Sequence, residues 1–306
     1  MGVCESENCS PNLVKIDEEI KNLSKEYLLS NSFHEKIKKS YSLNSKIGEG
    51  SFGKVFEATD KGGKKYAIKC INKKKIIKGQ LLYNEIKMGI KMKHPNILGI
   101  KEIYEEMDKI FLVMEYCEGG DLFNYIIKSP QGKLDEKNTI NIIIQILDAL
   151  NYLHNEVKIC HRDLKPENML IKNNGKNKPI IKLIDFGTAE YIPNEKKITG
   201  KIGTLKYMAP EIFSKSFYNE KIDIWSAGVI LYNMTTGCEP FELNTKEFKK
   251  KPIYNMDINF NYIQNDDIRE LCKKLLEKNP NKRLDAKTAL EKAKRIRQKF
   301  LMNFNE

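Results

Sequence analysis

Residues 161–168 read HRDLKPEN, which puts two carboxylates, two cations and an amide within one short stretch. Downstream, residues 185–187 read DFG and residues 209–211 read APE. Phosphoryl transfer is the chemistry that uses these types together. It needs a carboxylate at the attacking hydroxyl, and oxygen ligands that hold magnesium against phosphates. Asp163 is the candidate for the first task; Asn168 and Asp185 are candidates for the second. Either tripeptide alone would say little, but three motifs in this order are specific.

Such a site needs a phosphate cradle and a fixed cation, and both have candidates upstream. Residues 48–55 read GEGSFGKV. Gly48, Gly50 and Gly53 let backbone amides approach phosphates without side-chain obstruction, and Ser51 and Phe52 complete the loop. G-x-G-x-x-G also marks dinucleotide folds. Here Val55 and the FEA that follows read as a second strand rather than that fold's helix. Residues 66–69, YAIK, supply a strand lysine. The Lys69 ammonium is expected on the nucleotide phosphates, paired with a helix carboxylate. Glu85, upstream of the HPNI at 94–97, is the expected partner. Residues 134–157 read as one long helix, with Ile140, Ile143, Ile144, Ile146 and Leu147 on its apolar face.

The order H-R-D-L-x-x-x-N, D-F-G, A-P-E is the protein kinase signature, and residues 41 to about 296 resemble a complete eukaryotic protein kinase domain. The resemblance implies an α+β, bilobal fold, with a small β-rich N-lobe over about 41–114 and a larger helical C-lobe over about 118–296. ATP and Mg2+ are the implied cofactors, with ATP between the lobes. The family pattern makes Glu115, Tyr116 and Cys117 the hinge and Met114 the gatekeeper, with adenine sandwiched by Val55, Ala67 and Leu170. Each of these apolar residues is equally at home in a core. By the same resemblance Lys165 contacts the transferring phosphate, Thr204 orients Asp163 and Lys165, Asp223 braces the catalytic-loop backbone, and Arg283 pairs with Glu211. Lys165 resembles serine/threonine rather than tyrosine kinases, so protein serine and threonine are the implied substrates. A catalytically weak or pseudokinase scaffold anchored to a membrane is the alternative; Lys69, Asp163, Asn168 and Asp185 are all present against it.

Within the kinases the chain looks most like the calcium/calmodulin-dependent group, especially the calcium-dependent protein kinases. The MGVC start and the KIGT at 201–204 carry that likeness. It departs from them in having no D-x-[DN]-x-[DN]-G loop, and only about ten residues follow the kinase domain, so calcium activation through attached EF-hands is not expected. In basophilic relatives an acid after the hinge glycines holds a substrate arginine three residues before the target. Asp121 after Gly119 and Gly120 fits that place, with Glu167 beside it, and predicts R-x-x-S/T. The plainer alternative leaves Asp121 on the ATP ribose and Glu167 in solvent. Asn233 stands where a second arginine is usually held, so R-R-x-S/T is not required. Arg162 could bind a phosphorylated loop residue, but the usual position is Gly200 and Thr199 is one residue off. Gly89 replaces the Leu or Met that kinases stack behind the Glu85 helix. Either Met88 or Met92 fills the gap, or the helix is loosely held.

The 306 residues carry a formal net charge of +12, with 41% hydrophobic content. Of 53 basic residues only Arg162, Arg269, Arg283, Arg295 and Arg297 are arginine, and no nucleic-acid motif accompanies the charge, so nucleic acid is not an expected partner. No apolar run is long enough to span a membrane, and no secretory signal opens the chain. Seven scattered cysteines lack metal-ligand or disulfide-scaffold spacing, which favours a reducing setting. Residues 1–40 read as an extension with a short helix over 15–29. Its start fits M-G-x-x-x-[ST], with Gly2 as myristate acceptor and Cys4 available for palmitate, and two chains anchor where one does not. A chance match in a plain polar terminus is the alternative. The expected setting is the cytoplasmic face of an anionic membrane, otherwise the cytoplasm. Lys294, Arg295, Arg297 and Lys299 interleave with apolar residues over 292–304, ending in a short basic tail at 297–306. Such a stretch suits a calmodulin-like partner, or is simply the last domain helix.

Overall fold

The structure, a computed structural model, describes residues 37–50, 53–75, 79–173, 178–195, 197–214, 217–241 and 257–302. Gly2, Cys4, the stretch 15–29, Ser51 and Phe52 lie outside the described residues. The chain forms two compact units. One holds residues up to Lys93 plus Leu98–Cys117; the other holds His94–Ile97 plus Glu118–Glu306.

In the first unit β1 (Tyr41–Gly50), β2 (Gly53–Asp60), β3 (Lys65–Asn72), β4 (Ile100–Glu105) and β5 (Lys109–Glu115) form one antiparallel sheet in the order β1-β2-β3-β5-β4. Helix α1 (Gly79–Lys91) packs Leu82, Ile86 and Ile90 against Ile71, Ile103, Ile110 and Leu112 of the sheet. A second cluster of Ile37, Tyr41, Ala58, Ile68, Tyr104, Phe111 and Val113 ties the entering chain to the sheet. Glu102 Oε2 accepts from the Tyr41 and Tyr104 hydroxyls at 3.1 and 3.0 Å.

The second unit is mostly helical. Helix α2 is Leu122–Lys128, and α3 is Glu136–Asn151, capped by Asp135, whose carboxylate accepts from Asn138 N. The predicted single helix over 134–157 starts two residues later and changes register at Tyr152–Val157, a π-turn closed by left-handed Lys158. Short strands β6 (Ile159–Cys160) and β9 (Glu190–Tyr191) pair, as do β7 (Met169–Lys172) and β8 (Ile180–Leu183). They are followed by α4 (Glu211–Ser214), α5 (Lys221–Thr236), α6 (Asp266–Leu275) and α7 (Ala286–Met302). Helix α5 is apolar on nearly every side and accordingly buried. Residues 94–97 also belong to this unit. Asn96 Nδ2 donates to Gln145 Oε1 and Ile181 O, Ile97 bridges Leu183, and His94 stacks on Tyr152.

Candidate functional site

The loop after β6 is fixed from behind by one buried carboxylate. Asp223, on α5, accepts from His161 N at 2.8 Å and Arg162 N at 3.0 Å, and its Oδ2 lies 2.8 Å from His154 Nε2. Burial pushes this carboxyl up, but the His154 hydrogen bond, the nearby imidazoles and the loop amide outweigh it and hold it low. Arg162 is left-handed at φ 69, a conformation that the two backbone bonds to Asp223 sustain.

The carboxylate of Asp163, next along, meets Lys165 and Thr204 closely and Asn168 Nδ2 at 3.4 Å. Lys165 Nζ donates to Asp163 Oδ2 at 2.9 Å and to Thr204 Oγ1 at 2.9 Å; Thr204 Oγ1 donates to Asp163 Oδ1 at 2.7 Å. Burial alone would raise the Asp163 carboxyl. The Lys165 ammonium and the Thr204 hydroxyl reverse that and hold it below the ordinary carboxylate range. The triangle therefore presents an ionised carboxylate at neutral pH, oriented on both oxygens. Thr204 reaches it because Gly203, at φ +120, lies flat on the loop; a Cβ there would stand 2.5 Å from Arg162 O.

Asn168 Nδ2 donates to Asp163 O at 2.9 Å, so Oδ1 is the atom left to ligate a cation. Asn168 O in turn accepts from Ile184 N at 2.9 Å, which brings the following residue, Asp185, to the same end of the β7–β8 pair. Asp185 is left-handed at φ 66 and exposed, with one oxygen accepting from Gly187 N. An amide oxygen and a carboxylate are hard donors of the type magnesium takes, with water and phosphate completing the shell. His161 Nε2 lies 3.1 Å from Ile184 O, and its ring meets Phe186 edge-on at 5.1 Å.

In the sheet unit, Lys69 Nζ donates to Glu85 Oε1 at 2.5 Å, linking β3 to α1. Both side chains are largely buried. In the β1–β2 hairpin, Gly53 is required by its close approach to the β3 backbone, whereas Gly50 has space for a side chain. A Cβ on Gly53 would fall 2.1 Å from Cys70 O, and one on Gly50 would stand 4.0 Å from Lys69 Cε. Val55 pairs with Lys69, and Ala67 with Met114, across this sheet.

The family described as "Protein kinase domain" matches residues 41–293. The chain belongs to the protein kinase family. Among its relatives, calcium-dependent protein kinase 5 of Plasmodium falciparum (isolate 3D7) is 39% identical over 251 residues, covering 80% of this chain and 43% of the relative. Calcium-dependent protein kinase 6 of Plasmodium berghei (strain Anka) is 42% identical over 241 residues, covering 78% and 16%. Calcium-dependent protein kinase 29 of Arabidopsis thaliana is 35% identical over 260 residues, covering 82% and 48%. The chain thus spans less than half the length of each of these relatives.

Within this kinase domain the structure groups Asp163, Lys165, Asn168 and Thr204 directly, and links Asp185 to them through the backbone of Asn168 and Ile184. Lys69 and Glu85 form their pair in the other unit. Met114, Glu115 and Cys117 close β5 and the residues after it, and Leu170 lies on β7, bridged to Asp121. Glu211 and Arg283 form a bidentate pair, fully buried, at 2.6 and 2.9 Å.

Asp121 and His154 take up tasks that the sequence does not show. Asp121 is the N-cap of α2: its two oxygens accept from Asn124 N at 2.7 Å and Asn124 Nδ2 at 2.8 Å. Its D-x-x-N spacing was the available signal for a cap. Glu167, by contrast, is exposed and, with Glu239, is close enough to keep the buried Tyr207 phenol protonated further than burial alone would. His154 went unnoticed because nothing local marks a buried imidazole as the partner of a residue on α5.

The structure also answers the question posed by Gly89. A Cβ there would stand 2.7 Å from Ile100 Cδ1, so Ile100 of β4, rather than Met88 or Met92, takes up the space. Near the C-terminus, α7 buries Ala286, Ala289, Leu290, Ala293 and Ile296, and Lys299 pairs with Asp267 of α6. No helix among the described residues is long and apolar enough to cross a membrane.

Proposed function

We propose that this chain is a serine/threonine protein kinase that moves the γ-phosphoryl group of MgATP to protein hydroxyls. The observation that carries the reading is the Asp163–Lys165–Thr204 triangle. Bound MgATP supplies the transferable phosphoryl group and the positive charge that neutralises its oxygens. Asn168 Oδ1 and the Asp185 carboxylate are the magnesium donors, and Lys69, steadied by Glu85, is the phosphate cation. Asp163 accepts the hydrogen bond, then the proton, of the substrate hydroxyl, while Lys165 offsets charge on the transferring oxygens. The presence of Lys69, Asp163, Asn168 and Asp185 together favours this reading over a pseudokinase scaffold.

Glu167 is the acid most open to a substrate arginine, since the Asp121 oxygens are already engaged in capping α2. The preference is therefore for R-x-x-S/T, held mainly by Glu167. A positional peptide library with MgATP tests both parts. Label is expected on serine and threonine and not tyrosine, with arginine favoured three residues upstream; equal rates for arginine and alanine there would remove the second part.

The MGVC start supports tethering by myristate on Gly2 and palmitate on Cys4, on the cytoplasmic face of an anionic membrane. Gly2→Ala should move the protein to the soluble fraction, and unchanged membrane partition would refute the tether. A calmodulin-like partner would meet the end of α7, where Ile296 is packed against its own unit while Leu301 is exposed.

A further inference from the structure

We propose that Glu190 is a positioning residue for this kinase: from β9 it supplies the anionic partner of Arg162, and so steadies the 199–204 segment against Asp163 with no phosphate on that segment. The proposal rests on the kinase reading above.

The Arg162 side chain is 6% exposed, and a guanidinium so buried requires its charge and donors to be met. Nε donates to Thr188 O at 2.6 Å, NH1 to Thr199 O at 3.4 Å, and NH2 to Glu190 Oε2 at 3.2 Å. Glu190 arrives there because β9 pairs with β6, which sets Glu190 opposite Cys160, two residues before Arg162. The carboxylate thus comes from a strand, not from the loop that phosphorylation would modify.

From Arg162 the contacts continue to the reacting group. The Tyr218 hydroxyl holds Thr199 O and Gly200 O, completing the clasp on that segment. Gly203 packs on Arg162 O, and the next residue, Thr204, donates to Asp163. Thr188, which accepts from Arg162, itself donates to His161 O at 3.1 Å. In kinases whose activation segment is ordered by phosphorylation, the phosphate supplies the negative charge at such an arginine. Here a carboxylate already occupies that role, and a phosphate would compete with it.

The test uses the full 306-residue chain, phosphatase-treated and shown phosphate-free by intact mass. The phosphate-free protein should phosphorylate peptide. Because Glu190 is half exposed, Glu190→Gln should lower kcat by a moderate factor, roughly three- to tenfold. The KM for ATP should stay within about twofold, since Glu190 touches none of the nucleotide groups. In an Arg162→Leu background the same substitution should change nothing further. Unchanged kcat in Glu190→Gln, or an equal loss in the Arg162→Leu background, would overturn the proposal. An inactive wild type would count against the kinase reading instead. Hydrogen exchange then decides: Glu190→Gln must speed exchange of amides in 199–204, and unchanged exchange there overturns the proposal.

Discussion

The Thr204 hydroxyl donates to Asp163 Oδ1 at 2.7 Å while Lys165 Nζ lies 2.9 Å from Asp163 Oδ2. One carboxylate is thereby oriented through both oxygens by groups far apart in sequence, and the contact to Thr204 ties the 199–204 segment to the loop. Thr204→Val removes the hydroxyl at nearly constant volume. It should lower kcat by roughly tenfold, the worth of one lost hydrogen bond to a charged group. Steady-state kinetics on a serine peptide check this, and an unchanged kcat would show that the contact is incidental.

Lys165 also sets the charge state of Asp163. Burial works against ionisation and the ammonium works for it, with a net lowering. In the wild type the ionised form is present above the ordinary carboxylate range and is lost only as pH falls through the lowered value. Lys165→Met leaves burial less opposed, so the Asp163 carboxyl should titrate at higher pH. Carboxyl carbon NMR across an acid titration reads this directly; a value as low as in the wild type would contradict the account.

The Glu211–Arg283 pair joins α4 to the segment before α7, with Arg283 also donating to Glu277 O and Lys221 O and lying over the Trp225 ring. Neither charge reaches solvent appreciably. Arg283→Met strands a buried carboxylate and should cost about 3–5 kcal/mol of stability. Denaturant unfolding checks it, and a loss under about 1 kcal/mol would place the pair among weak surface contacts.

How much of this was readable beforehand differs by residue. Asp163, Lys165 and Asn168 were legible because their chemistry is packed into eight consecutive positions, and the β1–β2 hairpin because the residues after its glycines, from Val55, read as a strand. Periodicity runs one continuous helix over 134–157 because it cannot register the π-turn at Tyr152. Glu190 left no trace in the sequence: its strand is two residues long, and its role depends on pairing with β6. The answer at Gly89 likewise required knowing that Ile100 comes from β4.

That last contact yields its own test. Gly89→Leu inserts a side chain where Ile100 already lies, and overpacking should cost about 1–3 kcal/mol. Combining it with Ile100→Ala should recover much of that loss. A Gly89→Leu protein as stable as the wild type would mean that the space is open after all.

The most direct measurement is phosphate transfer by Asp163→Asn set beside its nucleotide affinity. Asp163 is assigned to the substrate hydroxyl, and the nucleotide is assigned to Lys69, Asn168 and Asp185. Wild-type protein with MgATP should label a serine peptide. Asp163→Asn should label it at least about a hundredfold more slowly, the scale of a lost proton acceptor, while binding a fluorescent ATP analogue with nearly the same affinity. Equal labelling by both proteins, or no labelling by the wild type, would contradict the account.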